Sequence, residues 1–393
     1  MAESQDSRPC KRCKATDAPY RLRNDPTCQT LNRSPRNCYV EYVEGKAGRR
    51  LGALARDTRT SAKPAPRRYI AGLSFGPSST VMTHVLDDSA KFHSSRRSSP
   101  AFEPLVVHVD TELSHTADKE DTPAQRLLAK YRERFPNVSF ECVHLSKALG
   151  VRTVDWSSLP GLREQEDGND TERLRRFFDS LPSITSKADI LRLLIRHLLL
   201  HMALDKSYTA LLLGHSTTAL ASLTLSEVVN GRGYAVPWQI NDGPYTVCTY
   251  GPSSGASGGK ETSRAELPVY YPLREVFRNE IMLYLGLMPS LRKLIPADSA
   301  ASRSVVSHKD LSIDEVMSRY FDGVEGPYSG IVANVVRTTG KLDRVAGDGF
   351  CHMCGMTLDE QGDSRWAGEL GDDLEEHGHQ ARLCYGCKRS IRG

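Results

Sequence analysis

Residues 68–90, RYIAGLSFGPSSTVMTHVLDDSA, constrain the fold more than any other part of the chain. Tyr69, Ile70, Ala71 and Leu73 form a short apolar run that predicts a buried strand. The tight turn Ser74-Phe75-Gly76-Pro77-Ser78-Ser79 follows, and beyond it Val81, Met82, Val85 and Leu86 recur at helical spacing. Strand, small-residue turn and helix together present free backbone N–H groups at a helix N-terminus, the layout that holds a phosphate.

The same rhythm continues downstream. Leu105 to Val109 read as a second strand ending at Asp110. Thr122 and Pro123 open a helix whose Leu127, Leu128, Tyr131 and Phe135 share a face. Val138 to Leu145 predict a third strand. A helix over 186–204 starts with a capping-box-like Ser186 and Asp189, and Tyr208 to Leu213 predict a fourth strand. A helix over 217–229, closed by Gly231, precedes strands at Tyr245–Tyr250 and Leu267–Tyr271 and helices at Leu273–Leu285 and 312–321. Alternation of this kind argues for an α/β unit over 58–345, a parallel sheet flanked by helices with right-handed crossovers. Polar or Gly-rich insertions fall near 150–182 and 251–263.

Charge is nearly balanced, 52 Lys+Arg against 48 Asp+Glu, so no overwhelming field marks a non-specific nucleic-acid binder. The N-terminus lacks an apolar signal region, and no run of about 18 apolar residues predicts a membrane span. A cytoplasmic protein with no membrane partner is expected. In that setting grouped cysteines point to metal rather than to disulfides. Eight of the ten cysteines cluster near the termini, in segments 1–57 and 346–393.

Cys351-x-x-Cys354 and Cys384-Tyr-Gly-Cys387 are two zinc knuckles whose four thiolates can close a tetrahedral structural site. His377 and His379 in the spacer are rival ligands. Near the other end, Cys10 and Cys13 form a pair, but nine residues separate Cys28 from Cys38. Either all four close a second zinc site, or Cys28 or Cys38 is a free thiol and the pair is incomplete. Residues 39–57 predict a basic helix in which Lys46, Arg49 and Arg50 can meet RNA phosphates, although such a run is more commonly a solvated face. His197 and His201, four apart, read as packing or surface histidines for want of a companion ligand. Of the two central cysteines, Cys142 lies inside an apolar strand pattern, and Cys248, near a loop, is the better candidate for carrying sulfur.

The turn at 74–79 is similar to the nucleotide loop of PP-loop ATP pyrophosphatases, Ser-Gly-Gly-x-Asp-Ser, with Phe75 in place of a glycine and Ser78 in place of the aspartate. On that likeness Ser74, Gly76, Ser78 and Ser79 are the residues of a degenerate nucleotide site. Taken with Cys10-Lys-Arg-Cys13, Cys38-Tyr39, Leu212-Leu213-Gly214-His215-Ser216, Gly231-Arg232-Gly233-Tyr234, Tyr271-Pro272-Leu273-Arg274-Glu275 and the C-terminal cysteines, the chain resembles the cytoplasmic tRNA 2-thiolation protein 2 family over nearly its whole length. The resemblance implies a PP-loop (adenine nucleotide alpha hydrolase-like) fold and a heterodimer with the related thiolation protein 1. It implies transfer of sulfur from a thiocarboxylated ubiquitin-related carrier to the wobble uridine of tRNAs for Lys, Glu and Gln.

Chemistry of that kind requires a glycine-lined cradle and carboxylate-held magnesium. Phe75, Ser78 and the Ser216-Thr217-Thr218 run, where active relatives carry Asn and Asp, therefore point to a non-catalytic or weakly catalytic subunit. ATP and magnesium then belong to the partner, and zinc here is structural. The alternatives are a self-sufficient sulfurtransferase working through Cys142 and Cys248, or a zinc-ribbon RNA-binding module without chemistry. For the heterodimer contact, the helix after Tyr271-Pro272 and the 217–229 helix are the candidates, being more apolar than one core face needs.

Overall fold

The computed structural model describes residue 13 and residues 38–59, 66–95, 102–159, 168–251, 261–297, 310–344, 347, 349–358 and 382–393. Its centre is a five-stranded, all-parallel sheet in the order β3-β2-β1-β4-β7, built from β1 (Arg67–Gly72), β2 (Phe102–Asp110), β3 (Ser139–His144), β4 (Ala210–Leu212) and β7 (Val269–Tyr270). The register pairs Ile70 with Leu105 and Leu211, and Leu212 with Tyr270. Between them β5 (Thr246–Tyr250) and β6 (Glu261–Glu266) form a separate antiparallel pair. The strand expected at Tyr245–Tyr250 thus exists but leaves the main sheet.

Both faces of the sheet are covered, which is why its strands read as near-continuous apolar runs. Tyr69, Ala71, Val106, Ala210 and Leu212 face one core with α1 (Cys38–Asp57), α2 (Pro77–Ser94), α3 (Pro123–Arg134) and α8 (Arg278–Leu287). Ile70, Leu105, Val107, Leu211 and Val269 face the other. That second core contains α5 (Ile184–Asp205), α6 (Thr217–Val229) and α10 (Ile313–Thr339), with α4 (Asp170–Ser180) and α7 (Val236–Ile240) at its margin. Short α9 (Pro289–Arg292) and C-terminal α11 (Tyr385–Arg392) complete the elements.

Several boundaries differ from expectation for local reasons. The cap of α5 is Ser183, whose hydroxyl accepts from the Ser186 amide, so Ser186 lies inside the helix. Residues 273–277 turn before α8 begins at Arg278. The expected helix over 312–321 continues to Thr339 past Pro327, where Tyr328 leaves helical geometry (φ −133°, ψ 47°). This long helix packs along α6, one of the two helices assigned above to a partner, and leaves Val228 and Val229 exposed. At α3 the expected start is realised in full: Thr122 and Gln125 form a reciprocal capping box ahead of Pro123.

The C-terminal cysteine segment is no appended tail. Cys351, Met353, Cys354, Met356, Leu383, Cys384, Cys387 and Ile391 belong to the same apolar cluster as Ile70 and Leu211 of the sheet.

Candidate functional site

Strand β1 lies between β2 and β4, so the strand order reverses there and a crevice opens at its carboxyl end, the place where open α/β sheets bind ligands. The 74–79 turn fills that position. Ser79 closes it: its hydroxyl accepts from the Ser74 amide (3.3 Å) and donates to the Gly76 carbonyl (3.1 Å). Pro77 opens α2 without an N–H, leaving the Ser78 and Ser79 amides as first-turn donors. Gly214, leaving β4, passes so close that a Cβ on it would sit 3.0 Å from the Ser79 Cα.

Phe75 has φ 58°, the left-handed region a glycine would take. A phenyl ring in place of a glycine is expected to crowd the cradle, but the Phe75 side chain does not stand over it. The ring turns inward, 4.0 Å from the His108 ring and 5.2 Å from Tyr131, and is buried with the α2–α3 core. Tyr131 in turn shares a hydrogen bond with Thr80 (2.7 Å), and His108 Nδ1 bonds the Leu73 carbonyl (2.8 Å), with burial lowering its pKa. The turn thus keeps a glycine-like backbone conformation at residue 75 while its ring belongs to the core. Among the described residues no group of three metal-ligating side chains gathers at the loop.

Opposite, the N-terminus of α6 is already occupied. Ser216 caps it by accepting from the Ala219 amide (3.1 Å), and the Thr217 hydroxyl donates to the Arg274 carbonyl (2.7 Å). Thr218 donates to the buried carboxylate of Glu325 from α10, which also accepts the Asn279 amide at 2.7 Å. One carboxylate thus takes donors at the starts of α6 and α8. Burial and then the neighbouring acids Asp322 and Glu280 raise its pKa against the opposing hydrogen bonds. His215 sits beside this entrance, edge-on to Tyr271 at 5.4 Å, its pKa pushed down to about 4 by burial and by Arg196 and Arg192.

Of the basic residues on α1, Lys46 donates to the Glu275 carbonyl (2.9 Å) and stacks over Tyr42, and Arg50 pairs with Asp242. Arg49 is exposed. These contacts attach α1 to the segment before α8 through Glu275 and to the residues after α7 through Asp242. Cys248 is 2% exposed, packed with Tyr250 and Phe350 rather than presented by a loop. Cys142 is half-buried on β3, where burial and then Asp110 raise its pKa, the reverse of an activated thiol.

The chemically densest site is the C-terminal cysteine cluster. The sulfurs of Cys351, Cys354, Cys384 and Cys387 lie within 4.8 Å of one another, all buried, with Cys354 and Cys384 3.8 Å apart. The Cys384 amide donates to the Cys351 sulfur at 3.3 Å. Although burial resists ionisation of Cys351, hydrogen bonds from its three sister thiols hold its pKa well below the thiol norm. Gly355, at φ +69°, forms the turn of the first knuckle, and the His197 ring closes on it, bonding Thr153 at 3.0 Å. Four convergent soft donors, with no fifth among the described residues, fit a tetrahedral metal ion. His197 is buried and His201 half-buried on α5.

At the other terminus Cys38 is buried at the start of α1 and Cys13 is exposed; Cys10 and Cys28 lie outside the described residues, as do His377 and His379. A further group, Glu44, His84 and Asp88, links α1 to α2, with His84 Nε2 3.5 Å from each carboxylate. Sequence reasoning did not anticipate Glu325 at the helix starts or the residues behind the cysteines, because no local spacing connects them.

Comparison with known proteins agrees with this geometry. Residues 312–373 match the family model described as cytoplasmic tRNA 2-thiolation protein 2. A protein of that name from Sclerotinia sclerotiorum is 33% identical over 328 residues, 83% of this chain and 80% of its own length. Another from Phaeosphaeria nodorum is 32% identical over 402 residues, covering 99% and 96%. Among solved structures, the U34-tRNA thiolase NcsA from Methanococcus maripaludis, determined with its 4Fe-4S cluster, superposes with TM-score 0.53 over 89% of this chain and 92% of that one, at 16% identity. That likeness carries the PP-loop ATPase-like fold. Identity of this degree over nearly the whole length settles the family: the chain belongs to the cytoplasmic tRNA 2-thiolation protein 2 family.

Proposed function

We propose that the chain is a subunit of the cytosolic complex that 2-thiolates the wobble uridine of tRNAs for Lys, Glu and Gln, and that it is the non-catalytic or weakly catalytic partner of thiolation protein 1. The observation that carries the second half is Glu325. Its carboxylate takes donors at the starts of α6 and α8, beside the crevice where an anionic ligand would need them. Ser78 meanwhile offers no carboxylate for magnesium. In this reading ATP and magnesium act at the partner subunit, which takes sulfur from the thiocarboxylated ubiquitin-related carrier. The present chain supplies scaffold and tRNA contacts, with Arg49 and Arg56 the exposed ones of the four basic residues on α1.

The four C-terminal cysteines hold structural zinc. Zn–S bonds of about 2.3 Å give a tetrahedron with edges of roughly 3.8 Å, and Cys354 and Cys384 lie 3.8 Å apart. A cubane cluster places its thiolates on different irons and needs them wider apart. When bound, the ion neutralises and fixes the thiolates, while the chain's own residues contribute the knuckle turns and the packing around them.

The experiment is turnover of ATP to AMP with tRNA by the purified chain, by its catalytic partner, and by the two together. The expected result is no turnover by this chain alone and thiolation by the pair exceeding that of the partner alone. Turnover by this chain alone would revive the self-sufficient enzyme.

A further inference from the structure

We propose that Gly231-Arg232-Gly233-Tyr234 is the outer shell of the cysteine centre, Arg232 and Tyr234 donating hydrogen bonds to its sulfurs. The inference rests on the reading of those four cysteines as a zinc site.

Arg232 is fully buried, and its guanidinium is shared among Glu227, Asp189 and Cys387. Nε donates to Glu227 at 2.9 Å, Nη2 to Asp189, and Nη1 faces the Cys387 sulfur at 3.9 Å. Two carboxylates thus fix the planar fork and aim the remaining arm at the thiolate. Neutralising the carboxylates does not by itself require this residue, because Arg192 already pairs with both Asp189 and Glu227. What Arg232 adds is the contact with sulfur. The loop is closed from the other side by Ser390 of α11, three residues beyond Cys387, whose hydroxyl donates to Asp189 at 2.7 Å.

Tyr234 brings a second donor. Its hydroxyl is buried with no hydrogen-bond partner among the described residues, and the side chain packs against the cluster that contains Cys351, Cys354, Cys384 and Cys387. A phenol in such surroundings has only the sulfurs to satisfy it. The two glycines explain how the segment comes so near. Gly231, at φ +78°, would place a Cβ 2.4 Å from the Tyr385 ring, and Gly386 would place one 2.4 Å from the Asn230 carbonyl and 2.7 Å from the Arg232 Cγ. The turn lies directly on the second knuckle, Gly231 against the Tyr385 ring and Gly386 against the Asn230 carbonyl.

The chemistry is consistent. A divalent ion with four thiolates carries net negative charge, and burying it calls for donors that disperse that charge. A cationic guanidinium and a phenol provide them without competing as ligands.

Tyr234→Phe removes one hydroxyl and leaves the ring, and Arg232→Lys keeps the charge but loses the fork. In the full chain, zinc content by elemental analysis, the rate of zinc loss to a chromophoric chelator, and the thiolate-to-metal band of the cobalt-substituted protein are compared with wild type. Tyr69→Phe, which removes a partnerless hydroxyl in the opposite core, is the control. The expected result is release faster by about 10- to 100-fold for both variants, a shifted cobalt band, and no change for the control. Release at the wild-type rate with an unshifted band in Tyr234→Phe overturns the proposal, even if thermal stability falls, and that variant decides alone if Arg232→Lys does not fold. Wild-type protein without bound metal would instead overturn the zinc reading and this inference with it.

Discussion

At residue 75 a bulky side chain occupies a backbone conformation that ordinarily selects glycine. The strain of a non-glycine residue there is about 1–3 kcal/mol, while removing a buried phenylalanine costs about 3–5 kcal/mol. The ring against His108 and Tyr131 therefore outweighs the strained backbone. Phe75→Gly, although it returns the loop to the PP-loop pattern, is expected to destabilise the chain by roughly 2 kcal/mol. Urea denaturation measures this, and a more stable variant would mean that strain dominates. Across the crevice, His215 supplies a pH dependence. Burial and two arginines lower its pKa to about 4 from 6.5, so the folded state favours the neutral ring. The associated stability is complete above pH 6.5 and is lost as pH falls towards 4, because the unfolded chain takes up the proton first. Between pH 7.5 and 5 the stability advantage of wild type over His215→Asn should shrink by about 2 kcal/mol. A constant difference across that range would show that the ring titrates normally.

Elements differ in how openly the sequence declares them. Strand β1, the turn and α2 are legible because apolar period, small residues and a proline at the first helical position agree. The start of α3 is legible for the same reason, its cap being local. Other features depend on contacts between residues far apart in sequence. Gly326-Pro327 reads as the end of a helix, yet α10 resumes beyond the break because Val332 and Val336 bury themselves against the same core as α6. The apolar excess of α6 was visible, but its cover, a later helix of the same chain, was not. The inward turn of Phe75 depends on the sign of one dihedral angle, on which composition is silent. That Cys351, Cys354, Cys384 and Cys387 gather was legible from spacing alone, whereas the Arg232 network joins residues 189, 227, 232, 387 and 390 and could be found only by folding the chain.

For the molecule as a whole, the consequential question is how far the cysteine centre supports the rest. A structural zinc site contributes about 10–16 kcal/mol in small zinc-finger peptides, against a total stability of about 5–15 kcal/mol for a typical domain. If even half of that applies here, metal loss rivals the stability of the whole fold. The two cores make the outcome specific. The cysteines belong to the α5–α6 side, and Arg232 connects them to Asp189 of α5 and Glu227 of α6. The α1–α2–α3 side is a separate apolar cluster across the sheet. Withdrawal of the metal by a chelator, followed by amide hydrogen exchange, should therefore raise exchange in α5, α6 and residues 231–236 along with the cysteine segments, while β1, β2 and α2 lose protection later. Cys387→Ser should give the same pattern without chelator. Increased exchange confined to 349–358 and 382–393 would mean that the C-terminal segment is an independent unit and that the shared core is held by its apolar contacts alone.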